Sequence, residues 1–471
     1  FESTLNYDRA FGDHRVGGLV YYYMSSYQST WCDIHGYNCN VNVDNVPKRY
    51  QGLSGRLTYG FRDTYMIDLN FGYTGSENFQ KGRRFGFFPS VALGWVPTNY
   101  DFVRETLPWL SFLKIRGSWG SVGNDRITNK RFPYLTIMNE NANKGWNGSS
   151  GVTEQSVGAD NLQWEKAIKL DLGIEGKLFN EQVDFTVDFF RDTRNDIFQQ
   201  RTMVPDYIGL AEQPFGNVGS MVSYGADGNI SFTQDIGKDF SFTLRGNFTY
   251  TANMVKNWEE AFQKYSYQER ADKPYEYYAG YIALGLFRDE DDVKFSPDQS
   301  GIAGRKVLPG DIKYKDVNGD GVIDSYDKVV GVGHPNVPEI VYGFGLNIEY
   351  KGFYASVFFQ GTGNCSVLLG GNTPEGWYPF AWGVDQSSYR TFALDRWTES
   401  NPSQNVLMPR LHKDNANNAN NQVASTWWLR NGGFLRLKNM EFGYQLPKQF
   451  LKKFNVQAAR IYVMGYNLAL W

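Results

Sequence analysis

The chain has 471 residues, too many for one ordinary globular core, so it forms several domains or one large repetitive architecture. Aromatic residues make up 17% and glycine contributes 50 residues, yet mean hydropathy is -0.48 and no stretch approaches the ~20 apolar residues of a spanning helix. A net charge of -3, from 47 basic and 50 acidic side chains, leaves no electrostatic footprint for nucleic acid.

The N-terminal Phe1-Glu2-Ser3-Thr4-Leu5 has neither a basic n-region nor an apolar h-region, so it is no signal peptide, and the chain is expected to be a processed or truncated piece. From there period-2 alternation recurs in segments of about ten residues. Strands are predicted near residues 1 to 8, 15 to 28, 49 to 61, 64 to 75, 86 to 97, 111 to 122 and 164 to 176. Seven more follow near 182 to 194, 222 to 234, 239 to 252, 339 to 350, 352 to 363, 429 to 446 and 457 to 469. In the fourth segment Tyr65, Ile67, Leu69, Phe71 and Tyr73 share a face. In the seventh, Ile168, Leu170, Leu172 and Ile174 alternate with Lys169, Asp171, Gly173 and Glu175. In the tenth, Phe240, Phe242, Leu244 and Phe248 stand opposite Ser241, Thr243, Arg245, Asn247 and Thr249. The strand ending in Met440, Phe442, Tyr444 and Leu446 needs a bulge to bring Leu435 and Leu437 to the same face.

A soluble sandwich also alternates, so the connections decide. Every second one is short: Arg62-Asp63, the turn around Phe179-Asn180, Asp235-Ile236-Gly237-Lys238, and Lys351. Between them run long ones, roughly 29 to 48, 123 to 163, 195 to 221, 253 to 338 and 364 to 428. On the short side, Pro97 to Leu110 and Pro447 to Val456 are the longer exceptions. This parity follows if antiparallel strands shuttle between two unlike surfaces, tight turns facing the periplasm and elaborated loops facing outward. The expected fold is an all-β antiparallel transmembrane β-barrel of the bacterial outer membrane, with about 14 strands in this chain. Its last strand runs toward the long-loop side, so a closing strand is expected beyond Trp471.

Several stretches carry a resemblance. Leu113-Lys114-Ile115-Arg116-Gly117-Ser118-Trp119-Gly120-Ser121-Val122-Gly123-Asn124-Asp125 is followed by Trp164-Glu165-Lys166 and Asp171-Leu172-Gly173. Then come Pro309-Gly310-Asp311-Ile312-Lys313-Tyr314-Lys315-Asp316-Val317-Asn318-Gly319-Asp320-Gly321, Phe434-Leu435-Arg436-Leu437-Lys438-Asn439 and Gly465-Tyr466-Asn467-Leu468. In this order they resemble the SusC/RagA family of TonB-dependent outer-membrane transporters of Gram-negative bacteria. The resemblance implies a barrel of about 22 strands when complete, of which residues 1–471 form the C-terminal part. The plug domain, early strands and closing strand are expected to fall outside it. It also implies active uptake of oligosaccharides or peptides, captured with a SusD-like surface lipoprotein and energised by the TonB complex.

Within the connection 253 to 338, Asp316, Asn318, Asp320, Gly321, Val322, Asp324 and Asp327 occupy positions 1, 3, 5, 6, 7, 9 and 12 of an EF-hand-like loop at 316 to 327. Alternate oxygens can wrap a calcium ion there, with the Val322 carbonyl and Asp327 closing the shell. The alternative is a solvated acidic turn of the Asx type. Trp146, Trp377, Tyr378, Trp382, Trp427 and Trp428 fall in or beside long loops, where rings stack on sugars or peptide side chains, or else anchor at the lipid interface or pack loops together. Lys114, Arg116 and Arg245 are expected to face the lumen, where they touch substrate or else line a polar interior. Cys32 and Cys39 can close a disulfide loop, leaving Cys365 over, or all three thiols stay free. Four histidines with no HExxH pair, GxSxG elbow, CxxC or P-loop give catalysis no support. The rival is a secreted, soluble all-β carbohydrate-binding protein or glycoside hydrolase, which explains loop tryptophans and calcium but not the parity of the connections.

Overall fold

A computed structural model describes residues 1–28, 32–35, 38–41, 47–126, 132–141, 151–159, 161–303, 306–369, 391–412 and 419–471. The alternating segments form fourteen strands of one sheet. They are β1 (Glu2–Phe11), β2 (His14–Tyr27), β3 (Lys48–Phe61), β4 (Tyr65–Ser76), β5 (Phe85–Trp95), β6 (Leu110–Asn124) and β7 (Glu165–Leu178), then β8 (Val183–Gln200), β9 (Phe215–Ile236), β10 (Phe240–Asn257), β11 (Ile340–Tyr350), β12 (Phe353–Gly363), β13 (Phe434–Gln445) and β14 (Arg460–Leu470). Each lies beside its neighbours in the chain, the simplest antiparallel order. All fourteen expected strands are present. The expected segment 429 to 446 divides, because Leu429–Asn431 pairs separately with Ser366–Leu368 and β13 starts at Phe434.

Turn chemistry explains the tight side of the sheet. Two-residue hairpins need left-handed backbone, which matches the twist of the strands they join. Lys351 (φ 48°) and Gly352 (φ 87°) supply it between β11 and β12, and the three-residue turn Arg62-Asp63-Thr64 between β3 and β4 uses the same backbone at Arg62 (φ 51°) and Asp63 (φ 50°). The two longer connections on this side hold short helices, Asp101–Thr106 and Lys448–Leu451. Toward the other side the strands lengthen: β8 and β10 run 18 residues and β9 runs 22. A tilted spanning strand needs only about 9–11, so the pairing continues well past a bilayer.

The sheet is inside-out relative to a soluble protein. On β4 Leu69 is 41% exposed, while the Asp68 side chain beside it is 26% exposed. On β7 Leu172 is 51% exposed, and on β8 the carboxylate of Asp188 is 12% exposed. Ile67, Phe71, Leu170, Phe189, Leu244, Phe248 and Phe344 also lie open on the apolar face. A contiguous band of exposed rings and aliphatics is a liability in water and an asset in hydrocarbon. Among the described residues no helix is long and apolar enough to cross a membrane, so any crossing belongs to the strands.

β13 changes face once. Arg436 donates to Gln360 Oε1 (2.7 Å) and Glu441 accepts from the Tyr354 hydroxyl (2.7 Å). Both partners are even-numbered on β12 while Arg436 and Glu441 differ in parity, which requires the expected bulge between them.

The chain divides into two compact units. The first comprises Phe1–Ala261, Gly343–Phe358 and Asn439–Tyr466, and is mostly sheet. The second comprises Phe262–Tyr342, Phe359–Lys438 and Asn467–Trp471, and is mostly the two longest connections. It has a hydrophobic core of its own, with Trp428, Tyr314, Ile312, Ile323 and Met408 fully buried beside Trp397 and Leu286.

Candidate functional site

Two regions hold polar side chains in fixed geometry. The first is on the polar face of β6, β7 and β8. Arg116 Nη1 reaches Asp171 Oδ1 (3.0 Å), its Nε reaches Glu175 Oε1 (2.9 Å), and its Nη2 lies 2.6 Å from Asp188 Oδ1. Lys114 adds a longer pair to Glu175 at 3.4 Å. Register places Gly173 opposite both Arg116 and Asp188. A Cβ at that position would collide with the Asp188 carboxylate and come within 2.7 Å of Arg116 Cζ, so only glycine lets the guanidinium cross β7. On β3 and β4, Arg56 makes a two-nitrogen contact with Asp68 through Nε (3.1 Å) and Nη2 (2.5 Å). These networks hold charge on a wall that faces water while the opposite face is apolar. None contains a nucleophile aligned with a base.

The second region is the loop unit. Asp311 is buried, and its Oδ1 meets His412 Nε2 at 2.5 Å and accepts from Asn421 Nδ2 at 2.9 Å. Its Oδ2 accepts from the Leu308 amide. Gln299 donates to the Ile312 carbonyl and accepts from the Tyr314 amide. Partners more than one hundred residues apart satisfy one another's buried groups, which locks the two long connections into one packing solution. Helix Glu290–Lys294 is tied in by Lys313, whose Nζ sits 2.8 Å from Asp292. Burial pushes the Asp292 carboxyl up, but hydrogen bonds from Lys313 and the Arg288 amide, with both charges, bring it below the ordinary value on balance.

The acidic loop folds around its own backbone. Asp316 accepts from Gly319 and Gly321 amides at 2.6 and 2.8 Å, and Asp320 accepts from Val322 at 3.0 Å. Asp327 is fully buried and accepts from Val317 and Asp324 amides. Gly321 has φ 86°, the left-handed turn that the sixth position requires. Ile323, the eighth position, is buried in the loop core and its amide donates to the Asp298 carbonyl. Burial raises the Tyr281 phenol, and the charges of Asp324 and Asp327 raise it further. Tyr267 is raised likewise, by desolvation and by Asp327, Tyr265, Asp316 and Asp320. Among the described residues no three His, Cys, Asp or Glu side chains converge on one point as a metal-binding group. The carboxylates turn to amides instead, while the donor set, all hard oxygens at the required spacing, suits calcium.

Comparison with known proteins decides what kind of wall this is. Residues 1–468 match the family described as TonB dependent receptor-like, beta-barrel. The chain belongs to that family. TonB-dependent receptor P3 of Formosa agariphila is 25% identical over 99% of this chain and 47% of its own length. TonB-dependent receptor SusC of Bacteroides thetaiotaomicron is 26% identical over 83% of this chain and 37% of its own. The RagAB peptide importer in an open-open state superposes with a TM-score of 0.73 at 21% identity, covering all of this chain and 50% of that one. The chain thus spans about half the length of the curated relatives it matches. It is a TonB-dependent receptor barrel of a Gram-negative outer membrane. The rival reading as a secreted soluble protein falls with the outward apolar face and this family.

Within the receptor barrel, the residues singled out in the sequence fare unequally. Trp428 is fully buried and its indole N–H donates to the Asn421 carbonyl (2.9 Å), so it packs the loop core and offers no ring face to a ligand. Trp427 is half-buried against the same core and donates to the Leu407 carbonyl. The assignment of Trp428 to ligand stacking is corrected accordingly, since hydrophobic burial took it, while Trp427 keeps part of its ring exposed. Trp146, Trp377, Tyr378 and Trp382 lie outside the described residues. Backbone pairing sets Cys32 opposite Val41 and Cys39 opposite Ile34, so the cysteines stand diagonally, and their side chains lie outside the described residues. Cys365 is buried and free. Sequence reasoning missed Asp311, His412, Asn421 and Arg430, because nothing local marks a residue whose partner is remote or missing.

Proposed function

We propose that this receptor barrel is the outer-membrane part of an active nutrient importer. It takes up oligosaccharides or peptides captured with a SusD-like surface lipoprotein, and TonB supplies the energy. The observation that carries this reading is the inverted sheet, apolar side out and ion-paired side in, in a chain of the TonB-dependent receptor family. Acyl chains cover the outer face, and the Arg116 and Arg56 networks line a wetted passage. The two longest connections form a self-packed body, which is suited to hold a lid protein. RagAB, whose fold this chain shares, is a peptide transporter, and the barrel architecture is therefore compatible with peptide cargo.

In this reading Asp316, Asn318, Asp320, Asp324, Asp327 and the Val322 carbonyl hold a structural calcium ion that neutralises the crowded carboxylates acting on Tyr267 and Tyr281. The test is extraction of the full-length protein from outer membranes in mild detergent. A lipoprotein partner is expected to co-purify, and uptake of a labelled oligosaccharide or peptide pool is expected to collapse when the proton gradient is discharged. Repeated isolation without a lipoprotein, or uptake insensitive to the gradient, removes the lid and the energy source respectively.

A further inference from the structure

Arginines with limited exposure in this chain have polar side-chain partners. Arg116 touches three carboxylates, Arg410 pairs with Glu399, and Arg436 donates to Gln360. Among the described residues Arg430 has no carboxylate partner. It is half-buried in the loop unit, and its hydrogen bonds run from one nitrogen, Nη1, to the main-chain carbonyls of Trp427 and Leu429 at 2.5 and 3.1 Å. Burial pushes its guanidinium below the ordinary arginine value with no carboxylate to offset it. A guanidinium withdrawn from water without a counterion is costly, and evolution tolerates that cost mostly where a ligand brings the missing charge.

The surroundings agree. Arg430 lines a cleft of about 630 Å³ with His334, Asn364, Asn431, Tyr342 and Trp471, and no Asp or Glu is among the lining residues. That volume lies in the range of small-ligand sites. Glu339, the nearby acid, is outside the lining and its carboxylate accepts from Asn364 Nδ2 at 3.2 Å. The cleft is therefore cationic and donor-rich at one end, with aromatic rings for a ligand's apolar body. Leu429–Asn431 is pinned as a strand against Ser366–Leu368, so the guanidinium is placed by backbone pairing and by its two carbonyl partners before any ligand arrives.

We propose that this cleft binds a carboxylate of the cargo, with Nε and Nη2 of Arg430 as the bidentate donors, so that the importer prefers acidic over neutral substrates. This rests on the importer reading and specifies its substrate class. A carboxylate comes from a uronate-containing oligosaccharide or from an acidic peptide, and the two are arms of one experiment. Full-length protein in detergent is titrated calorimetrically with a uronate oligosaccharide, its neutral counterpart, an acidic peptide and the corresponding amide. One acidic member of a pair is expected to bind at least tenfold more tightly than its neutral partner. Arg430→Gln is expected to lose about tenfold to a hundredfold of that affinity, as removal of a charged hydrogen-bond donor does. Arg430→Lys retains part of it. Asn431→Asp, which leaves the packing of Arg430 alone and sets a carboxylate at the cleft, is expected to abolish the preference even if Arg430→Gln folds poorly. Equal binding of acidic and neutral ligands, or acidic binding unchanged in Arg430→Gln and Asn431→Asp, overturns the proposal. Neutral cargo that is still imported would leave the importer reading standing while this one falls.

Discussion

Leu69→Arg on β4 tests whether the open apolar face meets hydrocarbon. Tyr65 and Tyr73 mark the two ends of that face and lie eight residues apart, with Leu69 midway. At ~3.3 Å per residue the separation is about 26 Å along the strand, or roughly 20 Å along the membrane normal at the usual barrel tilt. Leu69 is thus close to the bilayer midplane, flanked by Leu57 and Val91 on the neighbouring strands. An arginine at that depth costs about 2–4 kcal/mol. A residue already 41% exposed would instead change stability by about 0.5 kcal/mol or less if water lay over it. The control is Thr58→Arg, one residue along β3 from Leu57 and opposite Asp68 on the polar face. It is expected to stay within about 0.5 kcal/mol. Urea unfolding of the full-length protein in phospholipid vesicles measures both. A small loss for Leu69→Arg, or equal losses for the two variants, refutes the placement of lipid on this face.

Trp428→Ala should destabilise the loop unit by about 3–5 kcal/mol, because a fully buried indole and its hydrogen bond to Asn421 are lost together. Limited proteolysis is expected to open residues 262 to 342 and 359 to 438 while the sheet resists, and uniform digestion would contradict an independent loop core. Gly173→Val is expected to cost about 1–3 kcal/mol by driving Arg116 off Asp188, read as a lowered urea midpoint, and an unchanged midpoint would show that the guanidinium has another route. The folded-state carboxyl of Asp292 is depressed, so its contribution is present above the unfolded carboxylate range near ~3.9 and is lost as pH falls through the lower folded value. Asp292→Asn should flatten loop stability against pH in that acid window alone, and a change confined to neutral pH would exclude this origin. Saturating calcium, at about one hundred times its dissociation constant, should stabilise the loop unit by about 2.7 kcal/mol and move the Tyr267 and Tyr281 titrations, followed by phenolate absorbance, toward lower pH. Both effects should vanish in Asp316→Asn, and their persistence there would argue for an acidic turn that needs no ion.

What the sequence reveals and what it hides follow from the range of the forces involved. The fourteen strands of the wall are readable because each one is specified locally: Leu69 and Asp68 already declare opposite faces, and Arg62-Asp63 sits where a tight turn must go. Even the bulge in β13 is legible, since Leu435 and Met440 cannot share a face otherwise. Strand ends are less so. β9 reaches back to Phe215 rather than 222 because its pairing with β8 continues beyond the apolar band, where alternation no longer marks it. In the loop unit the governing contacts are remote, Asp311 to His412 and Gln299 to Asn420, and the same tryptophan that would suit a sugar also suits a core. Composition cannot separate those fates for Trp428; only the closure of two loops around it can. Arg430 makes the point in reverse: its significance lies in a partner that is missing, and an absent carboxylate leaves no trace in a linear pattern. In such a barrel, sequence therefore specifies the wall that lipid sees, while the loop core is written in contacts that exist only once the long connections have folded together.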